Sequence, residues 1–77
     1  MNSTEDLAQA MIDATLEGGP ADLPEAERTQ RTAAATSKIK VRHGGAYEHF
    51  EPTGEFRPGR DGELYVYRWT MRTRIAE

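Results

Sequence analysis

In the second half of the chain, polar and apolar side chains alternate over residues 38–42, and two further stretches with strand-like sequences follow at 46–51 and 63–73. An alternation of period two predicts strands that bury one face and expose the other. The connections between the stretches are short and rich in glycine, and one contains an Asp-Gly pair, which is typical of hairpins. The pattern predicts an antiparallel meander of three strands, the second of which ends at Pro52.

The first half of the chain carries a weaker pattern that fits either a helix or a strand. Apolar residues recur at helical spacing from Leu7 to Ala14, after a capping sequence at Ser3, and this predicts an amphipathic helix. Residues 12–17 also fit a short strand that runs into a glycine turn at residues 18–20. Periodicity does not separate the two structures over six residues.

A second helical segment is predicted after Leu23. Proline suits the first helical position, and Pro24 is followed by two glutamates, which the N-terminal end of a helix favours. No apolar face follows, so this helix should be short and exposed. The small polar residues 32–37 predict a linker. Together these elements predict an α+β fold, with a small three- to four-stranded antiparallel sheet and one or two short helices.

Alternation also divides the side chains of the predicted sheet between two faces. The simplest assembly buries one apolar set beneath the N-terminal helix: Ile39, Val41, Phe50, Tyr65, Tyr67, Trp69 and Met71. The opposite face then carries a basic and aromatic set: Lys38, Lys40, Arg42, Tyr47, His49, Arg68, Arg72 and Arg74. A single bulge or register slip would invert part of one strand and break this arrangement.

Composition narrows the class of protein. The 77 residues allow one core, and the absence of cysteine removes disulfides and thiolate metal ligands. Seven acids and no base lie in residues 1–27, whereas residues 28–77 carry ten bases and six acids. The net charge of −3 and the pI of about 5.3 disfavour strong nucleic-acid binding. No apolar run approaches a membrane span and the polar N-terminus lacks signal-peptide features, so we expect a cytoplasmic protein.

The groups needed for acid–base chemistry occur together only around Tyr47 and His49. On a strand His49 and Glu51 share a face about 7 Å apart, whereas Glu48 points to the other face. Two histidines are too few for a typical metal site, and no glycine-rich phosphate loop is present. We therefore expect no cofactor and no metal, and the sequence leans against an enzyme.

Several short motifs together resemble a family of short actinobacterial proteins of unknown function. The motifs are LEGGP at 16–20, DLPE at 22–25, KV at 40–41, GAYEHFE at 45–51, YRW at 67–69 and RTRIAE at 72–77. The resemblance implies a single domain over residues 12–77, preceded by a variable extension over residues 1–11 for which we expect disorder. It also favours a strand over residues 12–17. It also implies an accessory role, since some such proteins are encoded near natural-product biosynthesis genes.

Three hypotheses about function follow. The leading one is a non-enzymatic accessory domain that binds a protein partner, with contacts from Tyr47, His49, Arg68, Arg72 and Arg74. The first alternative is anion or nucleic-acid binding on the basic face, which adds Lys38, Lys40 and Arg42. The second alternative is a small enzyme or metabolite binder around Tyr47 and His49. The C-terminal strand edge also has the sequence of a segment that could add to a partner's sheet.

Overall fold

The computed structural model describes residues 10–75 and shows one five-stranded sheet of order β2-β1-β5-β4-β3. The elements are β1 (Met11–Glu17), α1 (Glu25–Arg28), β2 (Thr29–Ala33), β3 (Ile39–His43), β4 (Ala46–Gly59) and β5 (Gly62–Arg74). β1 pairs with the central strand β5 in parallel, and the other neighbours are antiparallel. The predicted α+β fold with three or four antiparallel strands is therefore wrong, because the sheet is mixed and α1 is a single turn.

The ambiguous segment of the first half is a strand. Ala14 and Leu16, two residues apart, are both buried, whereas a helix would point them to opposite sides. Pairing with β2 on one edge and β5 on the other satisfies the backbone of β1 on both sides. The predicted helix is thus wrong from Met11 onward. Its earlier part, with Ser3 and most of the predicted extension, lies outside the described residues.

The segment after β1 agrees in part with its prediction. The short exposed helix after Pro24 is confirmed as α1, which buries none of its residues. The predicted linker at 32–37 is wrong at its start, because β2 runs to Ala33 and pairs with β1.

The β4–β5 hairpin is longer than predicted, because Pro52 does not end β4. β3 stops pairing with β4 at Phe50, so beyond that point β4 is an edge strand on that side. An edge strand tolerates proline, whose missing N–H removes no ladder bond there. The two long strands contribute to an extended molecule of 44 × 29 × 19 Å.

One face of the sheet, which we call the core face, holds the apolar core. Ile39, Val41, Phe50 and Tyr67 are buried there as predicted, and they pack with residues of β1 and with Leu23 from the connection after it. The prediction of burial is wrong for two other residues, because Tyr65 is 40% exposed and Met71 is 46% exposed. No helix within residues 10–75 is long and apolar enough to cross a membrane.

An extra residue in β5 explains the exposure of Met71. Trp69 lies opposite Phe50 on β4, but Met71 lies opposite His49, so Thr70 is an insertion relative to β4. Such a bulge sends every later side chain of the strand to the other face. Met71 therefore lies with His49 on the side opposite the core, which we call the outer face.

The same bulge places two predicted outer-face arginines on the core face. Arg72 lies opposite Glu48, and Arg74 lies opposite Ala46; Glu48 and Ala46 are both buried. The strict alternation assumed from the sequence fails here because Thr70 is an extra residue. Nothing in the local pattern of the sequence marks it as one.

Candidate functional site

The eight basic and aromatic residues expected on one face are divided among separate places. The outer face of β3 and β4 carries Lys40, Arg42, Tyr47 and His49. Lys38 is exposed and precedes β3. Arg68 lies on β5 opposite Glu51 and beside the carboxylate of Glu17. The core face carries Arg72 and Arg74. The structure therefore brings together only the first four and, separately, the last two.

The outer-face group contains one buried histidine. His49 is 7% exposed, and its Nε2 lies 2.7 Å from the hydroxyl of Thr73. Its Nδ1 is buried without a hydrogen-bond partner among the described residues. The ammonium of Lys40 lies 5.1 Å from the centre of the Tyr47 ring, which is a cation–π contact. No hydrogen bond joins His49 to Glu51 within the described part of the chain, so these two do not form an acid–base pair.

Arg68 shares its charge with a network of exposed groups. Its guanidinium lies 3.6 Å from Glu17 and 3.7 Å from Glu55. Arg57 binds Glu17 with two hydrogen bonds of 2.9 and 3.2 Å, which raises the pKa of Arg57 above its usual value. Such exposed pairs contribute little to stability, but they leave Arg68 electrostatically balanced.

A buried carboxylate organises the core face near the end of β5. Glu48 is fully buried; the indole N–H of Trp69 donates to its Oε1 at 2.8 Å and Arg72 Nε donates to its Oε2 at 2.7 Å. Burial raises the pKa of Glu48, but these two hydrogen bonds and the charge of Arg72 outweigh it and hold the pKa below its usual value. Glu48 is therefore ionised at neutral pH and fixes both partners.

A glycine loop packs against the indole of Trp69. Gly18 and Gly19 have φ of +85° and +78°, a region that side-chain-bearing residues rarely adopt. A Cβ at Gly19 would lie 2.8 Å from Cδ1 of the indole. The Gly-Gly sequence thus serves two needs, the turn and the close approach of backbone to ring.

Arg28 holds this loop in place. Its guanidinium donates to four backbone carbonyls, those of Leu16 (3.0 Å), Gly18 (3.0 Å), Pro20 (2.7 Å) and Leu23 (3.4 Å). Within the loop the N–H of Leu23 donates to the carbonyl of Pro20 at 3.2 Å, and the guanidinium adds a second donor there besides binding the other three carbonyls. The sequence gives no local signal for this role of Arg28, since its contacts reach across 5 to 12 residues.

Arg28→Ala is expected to lower the free energy of unfolding by about 1–2 kcal/mol, because part-buried carbonyls lose a charged donor. Urea denaturation of the variant and wild type measures this difference. The matched control is Arg31→Ala, since Arg31 is 67% exposed and makes one weak 3.5 Å pair with Asp13. Equal stability losses in the two variants would show that Arg28 does not hold the loop.

Two clefts flank Arg72. The larger, of about 560 Å³, is lined by Gly19, Pro20, Trp69, Thr70, Met71 and Arg72. The smaller, of about 280 Å³, is lined by Asp22, His43, Gly44, Gly45, Arg72 and Arg74. No three histidine, aspartate or glutamate side chains among residues 10–75 gather closely enough to hold a metal ion.

The larger cleft lies beside an open strand edge. Pairing between β1 and β5 ends at Glu17 and Arg68, whereas β4 continues to pair with β5 as far as Arg74. Within the described residues, positions 69–74 of β5 therefore have a strand on one side only. We call this segment the open β5 edge.

Comparison with protein families gives a match over most of the chain. A sequence model of a family of unknown function (DUF5988) matches residues 8–77, which include every residue of both clefts and of the open β5 edge. No curated protein and no solved structure matches significantly.

Proposed function

We propose that this chain, which belongs to a family of unknown function (DUF5988), is a non-enzymatic accessory module for a partner protein. The partner places an extended segment on the open β5 edge. The observation that carries the proposal is that β1 leaves the central strand at Arg68, six residues before that strand ends. An unpaired edge presents N–H and C=O groups to which another strand can add.

The surroundings of the edge favour a selective partner. The cleft beside it offers apolar surface from Trp69 and from Met71, which is 46% exposed, next to the cation of Arg72. In recognition by strand addition, backbone hydrogen bonds supply affinity and side-chain pockets supply specificity. The bulge at Thr70 interrupts regular pairing, which disfavours indiscriminate association of edges. A segment with alternating apolar and acidic residues suits this surface.

The distribution of charge and acid–base groups also supports binding over the alternative functions. The basic residues are divided between two faces, and Arg68 is balanced by two carboxylates. Within residues 10–75 no hydrogen bond joins His49 to Glu51, and the histidine instead contacts the hydroxyl of Thr73. Both facts weaken the nucleic-acid and enzyme hypotheses and leave the open β5 edge as the most distinctive feature.

Photo-crosslinking in host cells tests the proposal. A benzoylphenylalanine placed at Met71 should capture one protein upon illumination, because this side chain lies beside the edge. The matched control places the same group at Phe56, which is also 46% exposed but lies near the far end of the same hairpin. Capture should occur from position 71 and not from position 56.

Two results would contradict the proposal. Equal capture from both positions would mean that crosslinking is non-specific and does not report a binding site at position 71. An adduct at twice the mass of this chain would show that a second copy, and not a partner protein, occupies the edge.

A further inference from the structure

The smaller cleft contains an arginine, Arg72, that is held by the buried carboxylate of Glu48. Glu48 engages only Nε of Arg72, and no described residue accepts a hydrogen bond from its two terminal nitrogens. The side chain remains 53% exposed although its partner is fully buried. A guanidinium fixed by one carboxylate can present its terminal N–H groups to a second anion with little loss of side-chain entropy.

The other walls of the cleft suit a small negatively charged group. Arg74 follows two residues after Arg72 on the same face, and no ion pair joins it to any of the described residues. The turn at Gly44 and Gly45 closes one side, and nothing lies within 4 Å of the place where a Cβ would stand on either glycine. Backbone at such a turn is accessible to a ligand atom at close range.

The charges of the lining residues set the charge of the ligand. Arg72 is balanced by Glu48, and His43 lies 3.1 Å from the carboxylate of Asp22. Arg74 has no carboxylate partner among the described residues, whereas Asp22 is already hydrogen-bonded to His43. A carboxylate can therefore pair with Arg74 and with the terminal N–H groups of Arg72. The nearby carboxylate of Asp22 repels a doubly charged phosphate more strongly than a singly charged group. The volume of about 280 Å³ is just below the range of about 300–1,000 Å³ that is usual for whole small-molecule ligands.

From this geometry we infer that the smaller cleft binds one carboxylate group, held by Arg72 and Arg74. Because Arg72 also lines the larger cleft, a segment paired with the open β5 edge can supply this group from an aspartate, a glutamate or a chain terminus. The source of the carboxylate rests on the proposed function, whereas the carboxylate site itself does not.

Nuclear magnetic resonance titrations with sodium acetate and with inorganic phosphate, at constant ionic strength, test the inference. Acetate should produce saturable shifts at the amides of Gly44 and Gly45 and at Nε–H of Arg72. Arg74→Gln should weaken acetate binding by about tenfold, the loss expected for one charged hydrogen bond. Arg60→Gln is the control, because Arg60 is exposed at the hairpin tip and should leave binding unchanged.

Three results would overturn the carboxylate site: no saturable shift in the wild type, equal acetate affinity in the Arg74 variant and wild type, or tighter binding of phosphate than of acetate. The titration uses no partner and therefore says nothing against the open β5 edge. Conversely, the absence of specific crosslinking from position 71 would contradict the proposed function but would not affect the conclusion from the acetate titration.

Discussion

Replacing Glu48 by alanine is expected to lower the free energy of unfolding by about 3 kcal/mol at neutral pH. The change removes two hydrogen bonds to a buried charge and leaves the Trp69 indole and the Arg72 guanidinium without their acceptor. Urea denaturation measures the loss. The control is Glu63→Ala on the same hairpin, where the exposed side chain should change stability by less than about 0.5 kcal/mol.

The pH dependence of stability gives a second measurement on the same carboxylate. Because the folded pKa of Glu48 lies below the reference value of 4.5, ionised Glu48 stabilises the folded state above that value. This contribution is lost as the pH falls from about 4.5 through the folded pKa. Glu48→Gln keeps an oxygen for the indole but has no ionisable group at this position, so the free energy of unfolding of the variant should fall less steeply in acid. Parallel curves for variant and wild type would contradict this assignment.

Gly19→Ala is expected to produce the second large effect, a loss of about 2–5 kcal/mol in the free energy of unfolding. A φ of +78° strains a residue with a Cβ by about 1–2 kcal/mol. The new methyl would also stand 2.8 Å from Cδ1 of Trp69, and the indole is tied to Glu48, so it moves only by breaking that bond. Overpacking of this kind adds about 1–3 kcal/mol.

Gly44→Ala separates the two causes. Gly44 has a φ of +64°, but nothing lies within 4 Å of its Cβ position. The free energy of unfolding of its alanine variant should therefore fall only by the backbone strain. The chain has one tryptophan, and its fluorescence should change in the Gly19 variant and stay constant in the Gly44 variant. Equal stability losses with unchanged emission in both would show that the loop does not constrain the indole.

The second half of the chain was largely predictable because its period-two pattern and its turns are local signals. The strands β3 and β5 lie close to the predicted ranges, and Phe50, Ile39 and Val41 are buried as alternation requires. The first half was not predictable to the same degree. The strand character of residues 12–17 depends on two neighbours in the sheet, and its parallel partner β5 is distant in sequence.

The candidate site was harder to predict for two physical reasons. The bulge at Thr70 moves Arg72 and Arg74 between faces, and no residue type in that stretch signals an insertion. Arg28 acts on carbonyls that only the folded chain brings near. Glu48 is different, because alternation already placed this acid on the face of Phe50. A carboxylate at a buried position needs charged or polar partners, so the sequence held a usable signal.

The most direct test of the open β5 edge is amide hydrogen exchange on the crosslinked complex, resolved by residue. In the free protein the amides within 70–74 that face away from β4 should exchange quickly, because the described structure gives them no strand partner. In the complex these amides should become protected, while those at the tip, residues 59–62, stay unchanged. Protection confined to the tip or to β3, with fast exchange persisting at 70–74, would contradict the account.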